Sequence, residues 1–384
     1  MTDHASTTQW INLAECDDAR DVEHQAVALL ARGGVVGLGF ETEYHLVSST
    51  LIPEAVAKLG RLSGAPDGRR PTILLKGLDE LADWVERIPE PGARLARRLW
   101  PGPLTLVFPS AAGRGVFDRL PEEVKPWIAP DGELALTCPA DPAIQRILRL
   151  CPAPLVAVGA PRPERRPAAA TADSLRRAME EGLDLVVDSG PTRLGKPETV
   201  VRLDDERGWT IETEGAVDAA TVKQMTGTII LFICTGNTCR SPMAEALCKA
   251  LLARRLDCSI DELEDRGFVV HSAGVAANRG SPAASHAVEV ARARGGSLEK
   301  HRSRPADIDM ARQADFLFAM TLDHLQLLVD AAPELQARAE LLDPDGGDVP
   351  DPYGADLPVY HQTAETIEQM LNRRLDQLGV PKRS

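Results

Sequence analysis

Short apolar runs alternate along the first half of this chain with segments whose apolar residues recur at helical spacing. The runs that predict strands are 35–38, 71–75, 154–158, 183–188 and 199–203. The helical spacing predicts helices at 22–31, 54–62 and 218–225. We therefore expect an α/β domain over residues 1–222, followed by a junction at Thr226-Gly227.

The second half, residues 228–384, continues this alternation. Its predicted strands are 228–233, 267–274 and 315–321, and a helix is expected from 281 to 294. Alternation of this kind is typical of βαβ units and a parallel sheet. The fold class that we predict is α/β throughout, with a doubly wound parallel sheet in the second domain. Ligands of such sheets bind at the carboxyl ends of the strands.

One of these strand ends carries the most specific chemistry in the chain. The run 228–233 is followed directly by the string Cys-Thr-Gly-Asn-Thr-Cys-Arg-Ser-Pro, from Cys234 to Pro242. Cysteine attacks only as the thiolate, and N–H groups at a helix N-terminus favour the anions that they surround. Arg240 adds a planar cation that can hold two phosphoryl oxygens at once. The spacing therefore indicates a covalent phosphatase site with Cys234 as the nucleophile and Ser241 as a hydroxyl donor to its sulfur.

The rest of the string is expected to shape a phosphate pocket. Gly236 would allow a tight turn, and Asn237 would tolerate an unusual φ and fix the loop through side-chain hydrogen bonds. The predicted substrate-binding residues of the loop are Thr235, Gly236, Asn237, Thr238, Cys239 and Ser241. The alternative is that Cys234 and Cys239 are only small buried side chains at the end of a core strand.

This string resembles the Cys-x5-Arg-Ser loop of the low-molecular-weight protein phosphatases, and the likeness extends from about Thr228 to the C-terminus. The family keeps an aspartate in a downstream Asp-Pro motif, which here is Asp351-Pro352-Tyr353. The resemblance implies that Asp351 protonates the leaving atom and then activates the water that hydrolyses a phosphocysteine. It also implies that Tyr353 is a wall of the substrate cleft. The alternative is a plain turn, a use of Asp-Pro that Asp343-Pro344 illustrates.

Thr238 bears on the choice of substrate within that family. Members that act on phosphotyrosine usually have a bulkier aliphatic residue here, whereas bacterial protein-arginine phosphatases have threonine. The resemblance therefore favours phosphoarginine over phosphotyrosine, and the alternative is a Thr238 that only completes the loop's hydrogen bonds. Arsenate reductases of the same fold need further thiols downstream of the loop. No cysteine follows Cys258, so this alternative function is disfavoured. Cys239 would either trap an oxidised Cys234 as a disulfide or simply pack.

A second resemblance lies in the first half. Residues 100–108, Trp-Pro-Gly-Pro-Leu-Thr-Leu-Val-Phe, are similar to a segment of the YciO/YrdC family, which includes the threonylcarbamoyl-AMP synthases. Neighbouring pieces follow the order of that family; they are 39–46, 70–71, 138–139 and 188–190.

The positions that carry the chemistry of that family differ here. Ser63-Gly64-Ala65 stands where a Lys-x-Arg pair is expected, Thr137 replaces a strand arginine and Gly159-Ala160-Pro161 replaces Ser-x-Asn. In the first motif, Phe40 stands for threonine and His45 for glycine. Each charged hydrogen bond contributes roughly 1.5 to 3 kcal/mol, so ATP affinity should be largely lost. We therefore expect a degenerate, non-catalytic relative.

Composition narrows the partners. The net charge is −14, from 43 Lys and Arg against 57 Asp and Glu, which argues against general nucleic-acid binding. Seven cysteines without a framework spacing, and the absence of a signal or membrane-span pattern, predict a reduced cytoplasmic setting. No Cys-x-x-Cys or His-rich cluster indicates a metal, and no cofactor is expected.

Three functions remain open on the sequence. The first is a phosphatase on phosphorylated protein side chains, fused to a module that binds a small ligand or a partner protein. The second is a nucleotide-dependent transferase that makes threonylcarbamoyl-AMP for tRNA modification. The third is a sensor or scaffold without turnover.

Overall fold

The structure is a computed structural model that describes residues 8–64, 70–109, 115–161, 169–179, 182–204 and 208–381. It divides into two compact units, Met1–Met225 and Thr226–Ser384. Each unit has its own sheet and its own pair of hydrophobic cores.

The first unit is built on a mixed sheet of ten strands. These are β1 (Gln9–Asn12), β2 (Val36–Gly39), β3 (Tyr44–Ser49), β4 (Thr72–Leu74), β5 (Leu104–Phe108), β6 (Leu134–Thr137), β7 (Leu155–Gly159), β8 (Leu185–Asp188), β9 (Thr199–Leu203) and β10 (Trp209–Thr213). The helices are α1 (Ala19–Ala31), α2 (Pro53–Ser63), α3 (Leu81–Trp84), α4 (Glu90–Leu99), α5 (Lys125–Ile128), α6 (Pro142–Leu150), α7 (Ala172–Ala178) and α8 (Ala219–Thr226).

Both faces of this sheet are covered. Its strand order is β1-β8-β2-β3-β7-β4-β6-β5-β9-β10. Successive side chains of a strand point to opposite faces, so Leu46 belongs to one core and Val47 to the other. This two-sided burial explains why the strands read as continuous apolar runs rather than as an alternation.

The five strands and three helices that the pattern predicts in this unit are confirmed, and the strand 199–203 coincides with β9. Helix α1 begins earlier than predicted, because the side chain of Asp18 caps it by accepting the N–H of Arg20 at 2.9 Å. The pattern does not predict β3 or β10. Strand β3 buries His45 and two serines along with its apolar residues, and β10 is a mostly exposed edge strand.

The second unit has four strands, β11 (Thr228–Cys234), β12 (Phe268–Gly274), β13 (Phe316–Ala319) and β14 (Ala339–Leu341). Its helices are α9 (Arg240–Leu256), α10 (Ser285–Ala293), α11 (Ile308–Gln313), α12 (Leu322–Ala331) and α13 (Leu357–Gln377). The sheet is entirely parallel, in the order β12-β11-β13-β14.

Helices cover both faces of this parallel sheet. Phe232 packs in a core with α9, α10 and α13, whereas its neighbour Leu231 packs in a core with α11 and α12. The predicted doubly wound α/β fold is therefore confirmed. The central strand β11 ends at Cys234, which the topology places at the carboxyl edge of the sheet.

The helix predicted from residue 281 begins later, at Ser285. The residues before it are held extended by tertiary hydrogen bonds: the N–H of Ser281 donates to the Ser303 hydroxyl at 2.9 Å, and the N–H of Ala284 donates to the Thr238 carbonyl at 2.9 Å. None of the described helices combines the length and the apolar character that crossing a membrane would require.

Candidate active site

The loop between β11 and α9 is fixed to the end of β12. The N–H of Val275 donates to the Cys234 carbonyl at 2.9 Å, and the N–H of Ala276 donates to the Thr235 carbonyl at 3.0 Å. Gly274 makes this approach possible, because a Cβ there would lie 2.4 Å from the Thr235 carbonyl oxygen. The strand ends and the loop therefore form one rigid seat at the N-terminus of α9.

The sulfur of Cys234 faces donors on the loop. Its Sγ lies 2.9 Å from the Ser241 hydroxyl and accepts the backbone N–H of Asn237 at 3.2 Å. Cys234 is only 3% exposed, so these contacts replace water around the sulfur. A thiolate accepts hydrogen bonds and cannot donate them, so the Ser241 hydroxyl would donate to the ionised form.

Asn237 is the conformational pivot of the loop. It is fully buried and has a left-handed φ of 54°. Its Nδ2 donates to Ser241 at 3.0 Å and to Ser272 at 2.9 Å, and its Oδ1 accepts the N–H of Arg304 at 3.0 Å. The expected unusual φ and the side-chain hydrogen bonds are both confirmed.

Gly236 lies in the bend that follows β11, and that bend does not depend on a left-handed conformation at this glycine. This residue is not among the glycines with positive φ, and a Cβ there would meet only the Thr238 hydroxyl, at an ordinary 3.6 Å. The left-handed position of the loop is occupied by Asn237 instead, whose side chain can hold that conformation through its own hydrogen bonds.

A partly buried carboxylate that sequence reasoning missed sets the direction of this network. Glu245 accepts from the Ser272 hydroxyl at 2.6 Å and from Lys249 at 2.6 Å. Burial favours a higher pKa for Glu245, but Lys249 and Ser272 outweigh it, so the pKa lies below its ordinary value. Ser272 thus donates to Glu245 and accepts from Asn237. Because Asn237 also donates to Ser241, the hydrogen of Ser241 is left for the cysteine sulfur or for the Ala273 carbonyl at 3.2 Å.

The tertiary structure brings Arg240 and Asp351 together. Nη2 of Arg240 donates to Oδ2 of Asp351 at 2.6 Å, and Nη1 lies 3.5 Å from the Val349 carbonyl. The guanidinium is 8% exposed and the carboxylate 47% exposed, so the aspartate closes the outer side of the pair.

The two Asp-Pro dipeptides have different surroundings. Asp343 accepts the N–H groups of Asp345 and Gly347 at 3.0 and 3.2 Å, which makes it the cap of its own turn. Asp351 also accepts a turn N–H, from Tyr353 at 3.2 Å, but its other oxygen faces Arg240. The Tyr353 side chain is 80% exposed. Of the two motifs, only the one at Asp351 borders the cysteine loop.

A cavity of about 250 Å³ lies above the sulfur. Its lining residues are Cys234, Thr235, Gly236, Thr238, Cys239, Arg240, Asp351 and Tyr353. Two residues predicted to bind substrate, Asn237 and Ser241, are fully buried and their side chains lie behind the loop. These side chains support the loop and the sulfur, and the role of the two residues in binding substrate stays a prediction.

His324 is a second residue that sequence reasoning missed. Its Nε2 lies 2.8 Å from the Thr235 hydroxyl, and its Nδ1 lies 2.7 Å from the hydroxyl of Thr321, the N-cap of α12. Burial, and then the charge of Arg240, hold the pKa of His324 below its ordinary value. A neutral imidazole therefore orients the first hydroxyl of the loop. The signal available in the sequence was a helix-capping threonine three residues before a histidine.

Cys239 lies at the inner wall of the cavity. Its sulfur is 3.2 Å from the Tyr360 hydroxyl and 3.8 Å from the Thr238 hydroxyl. Burial raises the pKa of Tyr360, so the phenol stays neutral. The choice between a redox role and simple packing for Cys239 stays open. In the part of the chain that the structure describes, no group of three or more His, Cys, Asp and Glu side chains is arranged to hold a metal ion.

Comparison with known proteins divides the chain at the same place as the fold. Residues 229–383 match the family model described as "Low molecular weight phosphotyrosine protein phosphatase". Residues 28–215 match the Sua5/YciO/YrdC model described as "Telomere recombination".

Individual relatives give the same division. A protein-arginine-phosphatase of Bacillus subtilis is 37% identical over 158 residues, 40% of this chain and 99% of the relative. The low molecular weight protein-tyrosine-phosphatase Etp of Escherichia coli is 36% identical over 142 residues, 36% of this chain and 87% of the relative.

The first unit matches over a smaller share of its relative. A threonylcarbamoyl-AMP synthase of Pyrococcus abyssi is 28% identical over 180 residues, 46% of this chain. The chain spans about half of that synthase, 49% of its length. The first unit is similar to the Sua5/YrdC family. Through residues 229–383, this chain belongs to the low molecular weight protein phosphatases, a family of cysteine-based protein phosphatases.

Proposed function

We propose that the second unit hydrolyses phosphorylated protein side chains through a phosphocysteine, and that phosphoarginine is preferred to phosphotyrosine. The observation that carries the proposal is the common cavity of Cys234, Arg240 and Asp351 at the N-terminus of α9. A nucleophile, a bidentate cation and a carboxyl group are thus within reach of one phosphoryl group.

The reaction uses these groups in two steps. The Cys234 thiolate attacks phosphorus, the S–P bond forms, and the bond from phosphorus to the leaving atom breaks as Asp351 gives that atom its proton. Water then attacks the phosphocysteine while Asp351 takes up a proton; the P–S bond breaks and inorganic phosphate leaves. Arg240 exchanges its contact with Asp351 for the phosphoryl oxygens.

The support for phosphoarginine lies at Thr238. Thr238 lines the cavity, and its hydroxyl makes a long contact of 3.8 Å with the Cys239 sulfur. A hydroxyl held this weakly can turn towards a guanidinium N–H or towards the attacking water. The relative of Bacillus subtilis carries the name protein-arginine-phosphatase, which agrees with this direction.

The nucleophile is tested by Cys234→Ser in the full chain, with an aryl phosphate and a phosphoarginine peptide as substrates. Loss of the thiolate should lower turnover of both by about 10⁴-fold or more. Cys258→Ser is the matched control, because Cys258 is a partly exposed cysteine outside the cavity. Retained turnover in Cys234→Ser would contradict the phosphocysteine.

The substrate preference is tested separately with Thr238→Ile. Wild type should have the higher kcat/KM on a phosphoarginine peptide than on the matched phosphotyrosine peptide. The isoleucine variant should reverse this order while keeping its activity on the aryl phosphate. If wild type itself prefers phosphotyrosine, the arginine preference fails and the phosphatase proposal stands.

For the first unit we propose no synthase activity. Ser63 is the last residue of α2 and Gly64 is its C-cap, whereas Ala65, the third residue of that replaced motif, lies outside the described residues. Phe40 and His45, which replace the first motif, stack on each other with ring centres 4.2 Å apart. Threonine-dependent release of pyrophosphate from ATP by the full chain would overturn this conclusion.

A further inference from the structure

The first unit contains a cavity of its own, on one face of the ten-stranded sheet. It has a volume of about 130 Å³, and strands β3, β4, β5 and β9 contribute residues to its lining. The charged side chains among its described lining residues are Glu43, His45, Arg70, Glu198 and Glu212. Carboxylates therefore outnumber cations in the part of the wall that the structure describes.

Glu198 lies where a phosphate-binding site would need a cation. Its carboxyl accepts the Thr137 hydroxyl at 2.7 Å, and Thr137 stands where the resembled family has a strand arginine. An acidic group thus lies beside the position of a missing cation. Burial raises the pKa of Glu198 to about 7, and the nearby carboxylates of Glu41 and Glu43 act in the same direction. A cationic ligand would reverse that shift.

Thr105 supplies an independent sign of a ligand. This residue lines the cavity and is 2% exposed, yet its hydroxyl has no hydrogen-bond partner among the described residues. The hydroxyl acts on Glu198 as a hydrogen bond would and lowers the pKa of that carboxyl, although the two groups do not meet the geometry of a hydrogen bond. A buried hydroxyl without a partner costs free energy, and an N–H donor in the cavity would remove that cost.

Arg70 does not make the cavity a phosphate site. Its guanidinium lies 2.7 Å from Glu133 and 3.4 Å from Glu212. Arg202 pairs with the same two carboxylates. These four side chains neutralise one another at the rim, so a phosphate would have to break an ion-pair network and then face Glu198.

We infer that this cavity binds a small organic cation, an amine or a guanidinium, with the carboxylate of Glu198 as counter-ion and the hydroxyl of Thr105 as hydrogen-bond acceptor. Both contacts suit a donor-rich group that carries no acceptor. The first unit then serves as a binding module whose ligand has the opposite charge to a nucleotide.

Agmatine, which carries an amine and a guanidinium, is a suitable probe for titration calorimetry on the full chain. Wild type should bind it saturably, Glu198→Gln at least about 10-fold more weakly and Thr105→Val several-fold more weakly. Glu90→Gln should match wild type, because Glu90 is an exposed carboxylate on α4 that pairs with Arg94. Circular dichroism of each variant checks that the fold is kept.

The pH dependence separates this counter-ion from general electrostatics. Cation binding favours the ionised carboxylate, so affinity should rise between pH 6 and 8 with release of a proton, and Glu198→Gln should lose most of that rise. The other titratable or charged groups that face Glu198 are Glu41, Glu43, His45, Arg70 and Glu212. A pH dependence that arises from any of these groups would survive the substitution, which distinguishes it from one that arises from Glu198.

Two results would overturn the inference. The first is that agmatine gives no binding heat with the wild-type chain. This result would overturn the inference whether or not ATP and threonine together give a binding heat. The second is that wild type and Glu198→Gln bind agmatine with equal affinity while both remain folded.

Discussion

The two cavities of this chain differ in the sign of the charge that they present to a ligand. In the second unit, Cys234 and backbone N–H groups form the floor, and the guanidinium of Arg240 pairs with a half-exposed aspartate. In the first unit, Arg70 is bound by two carboxylates, and Glu198 faces the interior. The cavity of the second unit therefore suits an anion, and the cavity of the first unit suits a cation.

This difference bears on how the lining of a cavity relates to the fold around it. The sheet of the first unit is covered by a core on each face, and the side chains of those cores are not those that line the cavity. A change of the lining side chains would therefore leave the shape of the unit intact and alter only what fits inside. Fold and function are separable for this reason.

The largest effect is expected at the cation of the second unit. Arg240→Lys keeps the charge but loses the planar fork, so kcat/KM on an aryl phosphate should fall by about 10²-fold or more. Arg254→Lys is the matched control, since Arg254 pairs with Glu368 on the surface. Equal kinetics of the two variants would show that charge alone is sufficient in this cavity.

The next effect concerns the two Asp-Pro motifs. Asp351→Asn should lower turnover of a phosphoarginine peptide by about 10²-fold, because the leaving nitrogen needs a proton. An aryl phosphate with an acidic leaving group should be affected less. Asp343→Asn should leave both rates near wild type, because Asp343 caps its own turn. A larger loss of turnover in Asp343→Asn than in Asp351→Asn would contradict the assignment of Asp351 as the acid.

A smaller effect is expected on the stability of the first unit. The pKa of Glu198 in the folded protein, about 7, exceeds its ordinary value of 4.5. The contribution of this carboxyl to stability is therefore fully present below pH 4.5 and is lost as the pH rises to about 7. Glu198→Gln should therefore raise Tm at pH 8, by about 4 °C for a gain on the order of 2 kcal/mol.

The measurement can be confined to that unit. All five tryptophans of the chain, Trp10, Trp84, Trp100, Trp127 and Trp209, lie before residue 226, so their fluorescence follows the first unit alone. The gain should vanish at pH 4. A gain that is equal at both pH values would indicate better packing rather than removal of a charge.

The smallest effect is expected at His324. His324→Gln can contact only one of the two threonine hydroxyls, so the position of Thr235 should loosen and kcat/KM should fall a few-fold, about 1 kcal/mol. Because the pKa of His324 is held low, the wild-type pH–rate profile should show no step from this residue. A step near neutral pH that disappears in the variant would contradict the neutral imidazole.

Most of the fold could be predicted from local pattern. The string from Cys234 to Pro242 also predicts a nucleophile and its cation, since those residues are neighbours on one loop. The supporting groups Glu245, Ser272 and His324 could not be found in that way. Their partners come from other elements, and a serine or a histidine beside a strand or a helix start has many ordinary uses.

Hydrophobic periodicity and short motifs were enough to predict two α/β domains and a candidate nucleophile, because both depend on side chains a few positions apart. Which Asp-Pro faces Arg240, and which glutamate stands beside Thr137, was decided only when the chain folded. These contacts join residues 111 and 61 positions apart. Their geometry depends on how strands and loops pack, and no local pattern records that packing.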